Sequence, residues 1–203
     1  LGQDEVHRAK QSVGNAVVLS VVSSLVLTAV YLIFANTIIA MFGGTVNEET
    51  FHHSQEYFFY ITLGIPFYMF GQAMNPVIRA DGSPAWSMAS MLSGAIINII
   101  LDPVFIFGFH WGMSGAALAT VIGQVVSFVI SVIYFFRTKT FRLAAQNFIP
   151  HFRVFSAALK LGASSFVTQI TIVIISLVCN IMLAKYGALS QYGVDIPIAI
   201  IGI

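Results

Sequence analysis

The stretch 82–136 reads GSPAWSMASMLSGAIINIILDPVFIFGFHWGMSGAALATVIGQVVSFVISVIYFF, and Asp102 is the one Asp, Glu, Lys or Arg in it. Asp102 separates two uncharged segments, 82–101 and 103–136, and each is long enough to cross a bilayer as a helix, which takes about 20 apolar residues. Their apolar residues are continuous and do not alternate with polar ones. This pattern predicts transmembrane helices rather than the strands of a barrel.

The rest of the chain is equally poor in charge. Of its 203 residues, 58% are hydrophobic and 8% are charged, whereas about a quarter are charged in soluble domains. So few charges cannot form a water-facing surface of this size, and lipid is the natural solvent. Further uncharged segments lie at 11–47, 57–78 and 161–184. We therefore predict an all-α fold, a polytopic transmembrane helical bundle with five complete helices and the beginning of a sixth near Ile196.

The basic residues are distributed unevenly between the two sides of the predicted bundle. The connections break the helices at 43–49, at the tight turn 81–84, at 107–115, at 137–160 and at 186–192. Of the nine Lys and Arg residues, all except Lys185 then fall on one side. Because cytoplasmic loops are enriched in Lys and Arg, we expect the loops 1–12, 79–84 and 137–160 to face the cytoplasm. The net charge of +1 gives no electrostatic footprint for nucleic acid.

Asp102 is the strongest candidate for a functional residue. A carboxylate within a membrane helix costs about 2.5–3.5 kcal/mol on insertion scales, and such residues often belong to ion or substrate pathways. An acid that exchanges a proton or binds a cation is what a coupled transporter needs. The alternative is that Asp102 only caps a bend at Pro103 or lies near the outer interface.

Two helical faces carry further polar residues. Ser90, Gly94, Asn98 and Asp102 are spaced four apart and share one face, which predicts either a cavity wall or a close helix contact through small residues. Gln169 and Asn180 share a face of the 161–184 helix with serines, and we include both as candidates for ion or substrate binding. Hydrogen bonding between helices is the alternative for this face.

Three other residues are candidates for conformational or interface roles. Pro66 interrupts the 57–78 helix and permits a bend. Pro103 does the same after Asp102, and Arg79 marks the predicted cytoplasmic end of its helix or anchors it at the interface. His52 and His53 without further ligands are weak evidence for a metal, and we predict no metal site and no cofactor. Glycine-rich nucleotide loops and hydrolase or metalloprotease motifs are missing from the sequence, so we do not expect an enzyme.

Several segments, in this order and spacing, resemble the MATE-type multidrug and toxic compound exporters. They are the start of the chain with His7-Arg8-Ala9, then Leu63-Gly-Ile-Pro66, Ile78-Arg-Ala-Asp-Gly-Ser-Pro84, Asn98-Ile-Ile-Leu-Asp-Pro103, 112–120 and Leu161-Gly-Ala-Ser-Ser165. No single one of these motifs is decisive, but the ordered set is specific and runs over nearly the whole chain.

The resemblance implies a two-lobe, twelve-helix transporter of which this chain holds helices three to seven and the start of eight. On that pattern, 1–136 is part of the N-terminal lobe with four transmembrane helices, 137–160 is the cytoplasmic inter-lobe linker, and 161–203 begins the C-terminal lobe. It also implies export of cationic, amphipathic small molecules across the plasma membrane, coupled to H+ or Na+ by alternating access.

The resemblance matches Asp102 to an acidic position in the fifth helix of one bacterial branch. Other branches place an acid in the seventh helix, where this chain has only Gln169, so their Na+ site is in doubt here.

Three other functions remain open at this point. A flippase for lipid-linked sugars would usually carry more charge in its cavity. An intramembrane enzyme would need several catalytic groups at one depth, and the predicted spans contain one acid and no histidine. A passive channel would need a ring of charges or a filter-like loop, and neither is evident.

Overall fold

The computed structural model describes residues 3–41, 48–137, 148–149 and 152–187. In these ranges the chain forms α1 (Gln3–Ile33), α2 (Ala35–Met41), α3 (Glu48–Ala80), α4 (Pro84–Pro103), α5 (Gly112–Arg137) and α6 (Phe152–Gly187). A π-helical segment, Val104–Gly108, continues α4. The described residues contain no strand, and the all-α prediction is confirmed. The predicted sixth helix, near Ile196, lies outside the described residues.

The helices are long and apolar, as expected for a membrane protein. Within the described ranges, four are long and apolar enough to cross a bilayer: Ala9–Ile33, Pro84–Gly108, Gly112–Arg137 and Phe155–Cys179. The predicted crossing at 57–78 lies within α3, which is not one of these four. At 33 residues α3 is long enough to span, but Gln72, Asn75 and two prolines lower its hydropathy. It packs against α1, α2, α4 and α5, so neighbouring helices surround much of it.

The chain divides into two compact units, Leu1–His151 and Phe152–Ile203. The division falls within the segment 137–160 that the sequence predicts to be a linker. Helix α6 begins at Phe152, so helical structure extends into residues 152–160 of that segment. The assignment of the segment as an inter-lobe linker stays a prediction.

The turn between α3 and α4 agrees with the predicted tight turn at 81–84. Gly82 has a φ of 81°, a left-handed conformation that glycine adopts at little cost. Pro84 is the first residue of α4, where its missing N–H removes no helical hydrogen bond. At the opposite end, the turn predicted at 107–115 is shorter, because the π-helical segment runs to Gly108 and α5 already begins at Gly112.

The core of the first unit lies between α3, α4 and α5. Met74 and Ile78 of α3 are fully buried, and Phe67 and Phe70 pack edge-on against Phe128 of α5, with ring centroids 5.3 and 4.8 Å apart. The outer surfaces are apolar and exposed. Lipid would cover this surface in a bilayer, as the composition predicts.

Candidate functional site

A cavity of about 240 Å³ lies between α3, α4 and α5 in the first unit. Phe67, Tyr68 and Met91 provide large apolar or aromatic surfaces in its wall. Six polar side chains also line it: Gln72, Asn75, Asn98, Thr120, Gln124 and Ser127. Among the residues that the structure describes, no Asp, Glu, Lys or Arg lines the cavity directly. This mixture of apolar surface and a few hydrogen-bonding groups is typical of small-molecule sites.

Asp102 and Asn98 come together beside the cavity, as the sequence predicts for two residues one helical turn apart. The Asn98 Nδ2 donates to Asp102 Oδ1 and to Thr120 Oγ1 of α5, both at 3.3 Å. Asn98 lines the cavity, and Asp102 lies one turn beyond it, half-buried. The amide therefore links the carboxyl group of α4 to the cavity wall and to α5.

Pro103 lies at the junction between α4 and the π-helical segment. Because proline has no N–H, the Ile99 carbonyl loses its ordinary helical donor. After Pro103 the backbone hydrogen bonds span five residues instead of four. The Phe109 N–H, for example, donates to the Val104 carbonyl at 3.0 Å. Such π-helical insertions are frequent at functional sites. Asp102 thus lies where the regular hydrogen bonding of α4 ends.

The face of α4 that carries Asp102 has two roles along its length. Near its middle, Gly94 faces Gly123 of α5 so closely that a Cβ on Gly94 would lie 2.6 Å from the Gly123 carbonyl oxygen. One turn earlier, Ser90 Oγ donates to the Ser127 carbonyl at 2.9 Å, and Ser127 Oγ donates to the Ser90 carbonyl at the same distance. The face is a close helix contact at Ser90 and Gly94 and a cavity wall at Gly94 and Asn98, so both predicted alternatives occur.

Arg79 joins α3 to α4 at the far end of the cavity. Its Nε donates to Ser87 Oγ at 3.0 Å, and the Ser87 hydroxyl donates in turn to Asn75 Oδ1. Ser87 is fully buried and Asn75 nearly so. The guanidinium group thereby connects to a cavity-lining amide through a buried hydroxyl.

Pro66 lies inside α3 and leaves the Thr62 carbonyl without its ordinary helical donor. The hydroxyl of Thr62, which is fully buried, donates to the Phe58 carbonyl at 2.6 Å. Two residues before Pro66, Gly64 packs against α5, where a Cβ would collide with Gln124 Oε1. The segment of α3 around Pro66 is therefore a close contact with the cavity wall, and its role in bending stays a prediction.

The MatE family model matches residues 1–104, slightly more than half of the chain. The chain belongs to the MatE family.

Curated MatE relatives carry the name multidrug export protein MepA. The protein of Staphylococcus haemolyticus (strain JCSC1435) is 32% identical over 87% of this chain and 39% of its own length. The protein of Staphylococcus aureus (strain NCTC 8325 / PS 47) is 31% identical over 96% of this chain and 44% of its own. The chain thus spans less than half the length of these relatives.

Solved MatE-type transporters share the fold. An inward-facing multidrug resistance MATE family transporter of the MOP superfamily superimposes with a TM-score of 0.76 at 22% identity, over 93% of this chain and 48% of that one. A MOP superfamily transporter from Pyrococcus furiosus, described as having a binding pocket of reversed polarity, also gives a TM-score of 0.76 at 22% identity. The match covers 97% of this chain and 43% of that one. The predicted multi-pass helical membrane fold is confirmed.

Two predicted site residues of this MatE chain lie in α6, in the second unit. Gln169 is exposed there. Asn180 lies in the same helix, but its side chain is outside the described residues. The hydroxyls of Thr168 and Thr171, on the same helix, donate to the carbonyls four residues earlier. The roles of Gln169 and Asn180 in ion or substrate binding stay predictions.

Sequence reasoning missed the polar residues of α5 that line the cavity. Thr120, Gln124 and Ser127 follow one another at spacings of four and three, which places them on one helical face. A four-residue spacing on α4 had indicated Asn98 and Asp102, and the comparable spacing of polar residues on α5 could have indicated these three. The small residues Gly115, Ala119 and Gly123 form a buried packing face of the same helix.

The histidines His52 and His53 lie in the first turns of α3. His52 Nε2 is 3.4 Å and His53 Nδ1 is 3.9 Å from a Glu56 carboxylate oxygen, and the Ser114 hydroxyl donates to Glu56 at 3.0 Å. Within the described ranges, no group of three or more His, Cys, Asp or Glu residues could hold a metal ion.

Proposed function

We propose that this chain is part of a secondary active multidrug exporter, which antiports organic cations or other toxic compounds against H+ or Na+ by alternating access. The observation that carries this proposal is the half-buried Asp102 carboxyl group, bonded through Asn98 to the wall of the cavity between α3, α4 and α5. The similarity to multidrug export proteins supports it independently.

Asp102 serves in this proposal as the group that binds the coupling ion or the cationic substrate. Acidic residues in membrane helices commonly belong to ion or substrate pathways. Asn98 orients the carboxyl group and transmits its state to α5 through Thr120. Pro66, Pro103 and Arg79 lie where α3 and α4 depart from regular helix or end, and there we place the conformational change.

The substrates we propose are small molecules, cationic and amphipathic, that enter from the lipid bilayer or the cytoplasm. The protein would lie in the plasma membrane, with 1–12, 79–84 and 137–160 on the cytoplasmic side. Residues 1–136 would form part of the N-terminal lobe, and 161–203 would begin the C-terminal lobe after the linker.

The cavity favours this function over the alternatives. A flippase for lipid-linked sugars handles an anionic diphosphate, but no Lys or Arg lines the cavity in the described part of the chain. An intramembrane enzyme needs convergent acid, base or nucleophilic groups. Here the wall carries amides and hydroxyls: Asn98 and Thr120 bond to each other, and Asn75 and Ser127 bond to residues behind the wall.

The test is transport by the full-length protein in proteoliposomes. We expect a fluorescent organic cation to move only when an H+ or Na+ gradient is imposed, and the Asp102→Asn variant to fold but lose this gradient-driven movement. Glu56→Gln is a matched control, since it neutralises a half-buried carboxylate outside the cavity, and it should retain coupling.

Two outcomes would contradict the proposal at different levels. Normal coupled transport by Asp102→Asn would show that Asp102 is structural and that the coupling site lies elsewhere. Failure of the wild type to move the dye under either gradient would overturn drug export itself, and lipid-linked sugars would be tested next.

A further inference from the structure

One glycine of the cavity wall, Gly71, is not explained by packing between helices. Three glycines line the cavity in the described part of the chain: Gly71 of α3, Gly94 of α4 and Gly123 of α5. A Cβ on Gly94 or on Gly123 would lie 2.6 Å from the backbone of the other, so both must be small. A Cβ on Gly71 would meet nothing within 4 Å beyond its chain neighbours and its own helix backbone. Glycine destabilises a helix interior relative to alanine, so packing alone would favour a side chain here.

The geometry of α3 shows where that side chain would point. Five residues of α3 line the cavity: Phe67, Tyr68, Gly71, Gln72 and Asn75. With 3.6 residues per turn, these five span an arc of about 140° around the helix, and Gly71 lies between Phe67 and Tyr68 within it. A Cβ on Gly71 would therefore project into the cavity, and the open space beside this glycine is part of the cavity itself.

The walls on either side of this space are fixed by other contacts. One turn before Gly71, the Phe67 ring packs edge-on against Phe128, with the ring centroids 5.3 Å apart. One turn after it, Asn75 accepts a hydrogen bond from the buried Ser87 hydroxyl. We call the space over Gly71, between Phe67 and Asn75, the Gly71 notch. Because its walls are held by neighbouring side chains, the notch is pre-organised for a ligand.

We propose that Gly71 is a specificity-determining residue, which sets how broad a cationic ligand the cavity accepts. This inference rests on the proposed function. Part of a broad ligand enters the notch, lies against the backbone of α3 and contacts the Phe67 ring. Apolar ligand surface leaves water there, and an aromatic ligand gains further from edge-on or offset contact with Phe67. A larger side chain at position 71 would occupy the same space, whereas narrow ligands do not need it.

The experiment measures binding of two probes of equal charge to the purified full-length protein by fluorescence titration. N-methylacridinium has three fused rings and N-methylquinolinium has two, and both are fluorescent, permanent cations. Gly71→Leu fills the notch. We expect it to lower the affinity for the acridinium about tenfold more than the affinity for the quinolinium, the low end of the discrimination that one methylene gives in an apolar pocket.

Gly71→Ala separates the notch from a second explanation. Pro66 and Pro76 flank Gly71 in α3, and a glycine between two prolines also makes a helix easier to bend. Alanine removes that freedom as leucine does, but it adds only one methyl group. Under our proposal, Gly71→Ala changes the ratio of the two affinities in the same direction as Gly71→Leu, but less. It also gives an independent result if Gly71→Leu does not fold.

Gly162→Leu is the matched control for the change of residue type. A Cβ on Gly162, in α6, also meets nothing within 4 Å, and Gly162 does not line this cavity. The ratio of the two affinities in Gly162→Leu should therefore equal that of the wild type.

The outcomes separate this inference from the proposed function. The inference is wrong, and drug export stands, if the wild type binds both probes and Gly71→Leu leaves the ratio of affinities unchanged. The same holds if Gly71→Ala lowers both affinities as much as Gly71→Leu does, or if Gly162→Leu changes the ratio equally. If the wild type binds neither probe and transports no organic cation, the proposed function falls and this inference with it.

Discussion

Gly94 and Gly123 show how single atoms set the spacing of the helices around the cavity. Each glycine lies where an added Cβ would meet the backbone carbonyl oxygen of the other at 2.6 Å. The obstacle is backbone, which cannot move aside as a flexible side chain can. Small residues in membrane helices permit this close approach, and the gain is van der Waals contact between helices. The distance between α4 and α5, and with it the width of the cavity, depends on these two positions.

The first prediction concerns this contact. Gly94→Ala should destabilise the folded protein by about 1–3 kcal/mol, because the added methyl group forces α4 away from α5. Gly71→Ala is the matched control, since a Cβ there meets nothing within 4 Å. It should leave stability unchanged or raise it by up to about 1 kcal/mol through better helix propensity. Thermal unfolding in detergent measures both, and equal effects of the two variants would contradict the prediction.

At the same scale, we expect Asn98 to affect coupled transport through its hydrogen bond to Asp102. Asn98→Leu removes the donor of Asp102 and the bond to Thr120 while keeping similar volume. We expect coupled transport to fall about tenfold, the worth of one hydrogen bond to a charged group, while the fold is retained. The pH or Na+ dependence of dye uptake by Asn98→Leu should shift relative to the wild type. An unchanged ion dependence would show that Asn98 does not act on the coupling group.

At the scale of the elements, polar contacts fix the order in which α3, α4 and α5 pack. Ser87 connects Asn75 and Arg79 of α3 to the first turns of α4. The Trp86 Nε1 donates to the Ile130 carbonyl of α5 at 3.3 Å. Because these bonds surround the α3–α4 turn, we infer that the three helices behave as one body at this end.

A substitution at Ser87 tests the connection between α3 and α4. Ser87→Ala leaves the buried Asn75 Oδ1 without its donor, so the free energy of unfolding should fall by about 1–3 kcal/mol. Ser83→Ala, in the turn just before α4, is the control and should change stability by less than about 0.5 kcal/mol, because Ser83 makes no side-chain cap. The two variants are compared by chemical unfolding in the same detergent. A stable Ser87→Ala protein would mean that water replaces the hydroxyl.

At the scale of the whole molecule, the distribution of charge predicts orientation. The α3–α4 turn at 79–84 and the turn before α5 lie at opposite ends of α4 and its π-helical extension, which together are long enough to span a membrane. Arg79 occurs at the first of these turns, and no Lys or Arg occurs at the second. From the positive-inside rule we therefore predict that the first turn faces the cytoplasm.

Cysteine labelling of intact cells checks this orientation. In a background where Cys179 and every other cysteine of the full-length protein are replaced by serine, Phe109→Cys should react with a membrane-impermeant maleimide from outside, because Phe109 is exposed at the turn before α5. Ser83→Cys should react only after the cells are permeabilised. Labelling of both positions from the same side would contradict a crossing by α4, and the reversed pattern would contradict the assigned topology.

The sequence by itself determined the class of the protein. Long uncharged segments and scarce charge require helices in lipid, because only helices or closed barrels satisfy the backbone there. Hydropathy and charge content depend only on residues that are neighbours in the chain, so they can be determined without knowing any long-range contact. The ordered motifs indicated the family, and the four-residue spacing predicted that Asn98 and Asp102 lie together on one face.

Only the tertiary structure decided what that face meets. Gln124 reaches Gly64, and Asn98 reaches Thr120, because α3, α4 and α5 approach at particular distances and rotations. Those distances result from packing between residues far apart in the chain, which hydropathy and local spacing do not encode. The same reason explains the position of α3: its polar residues weaken its hydropathy, and the helices around it provide the partners that lipid cannot.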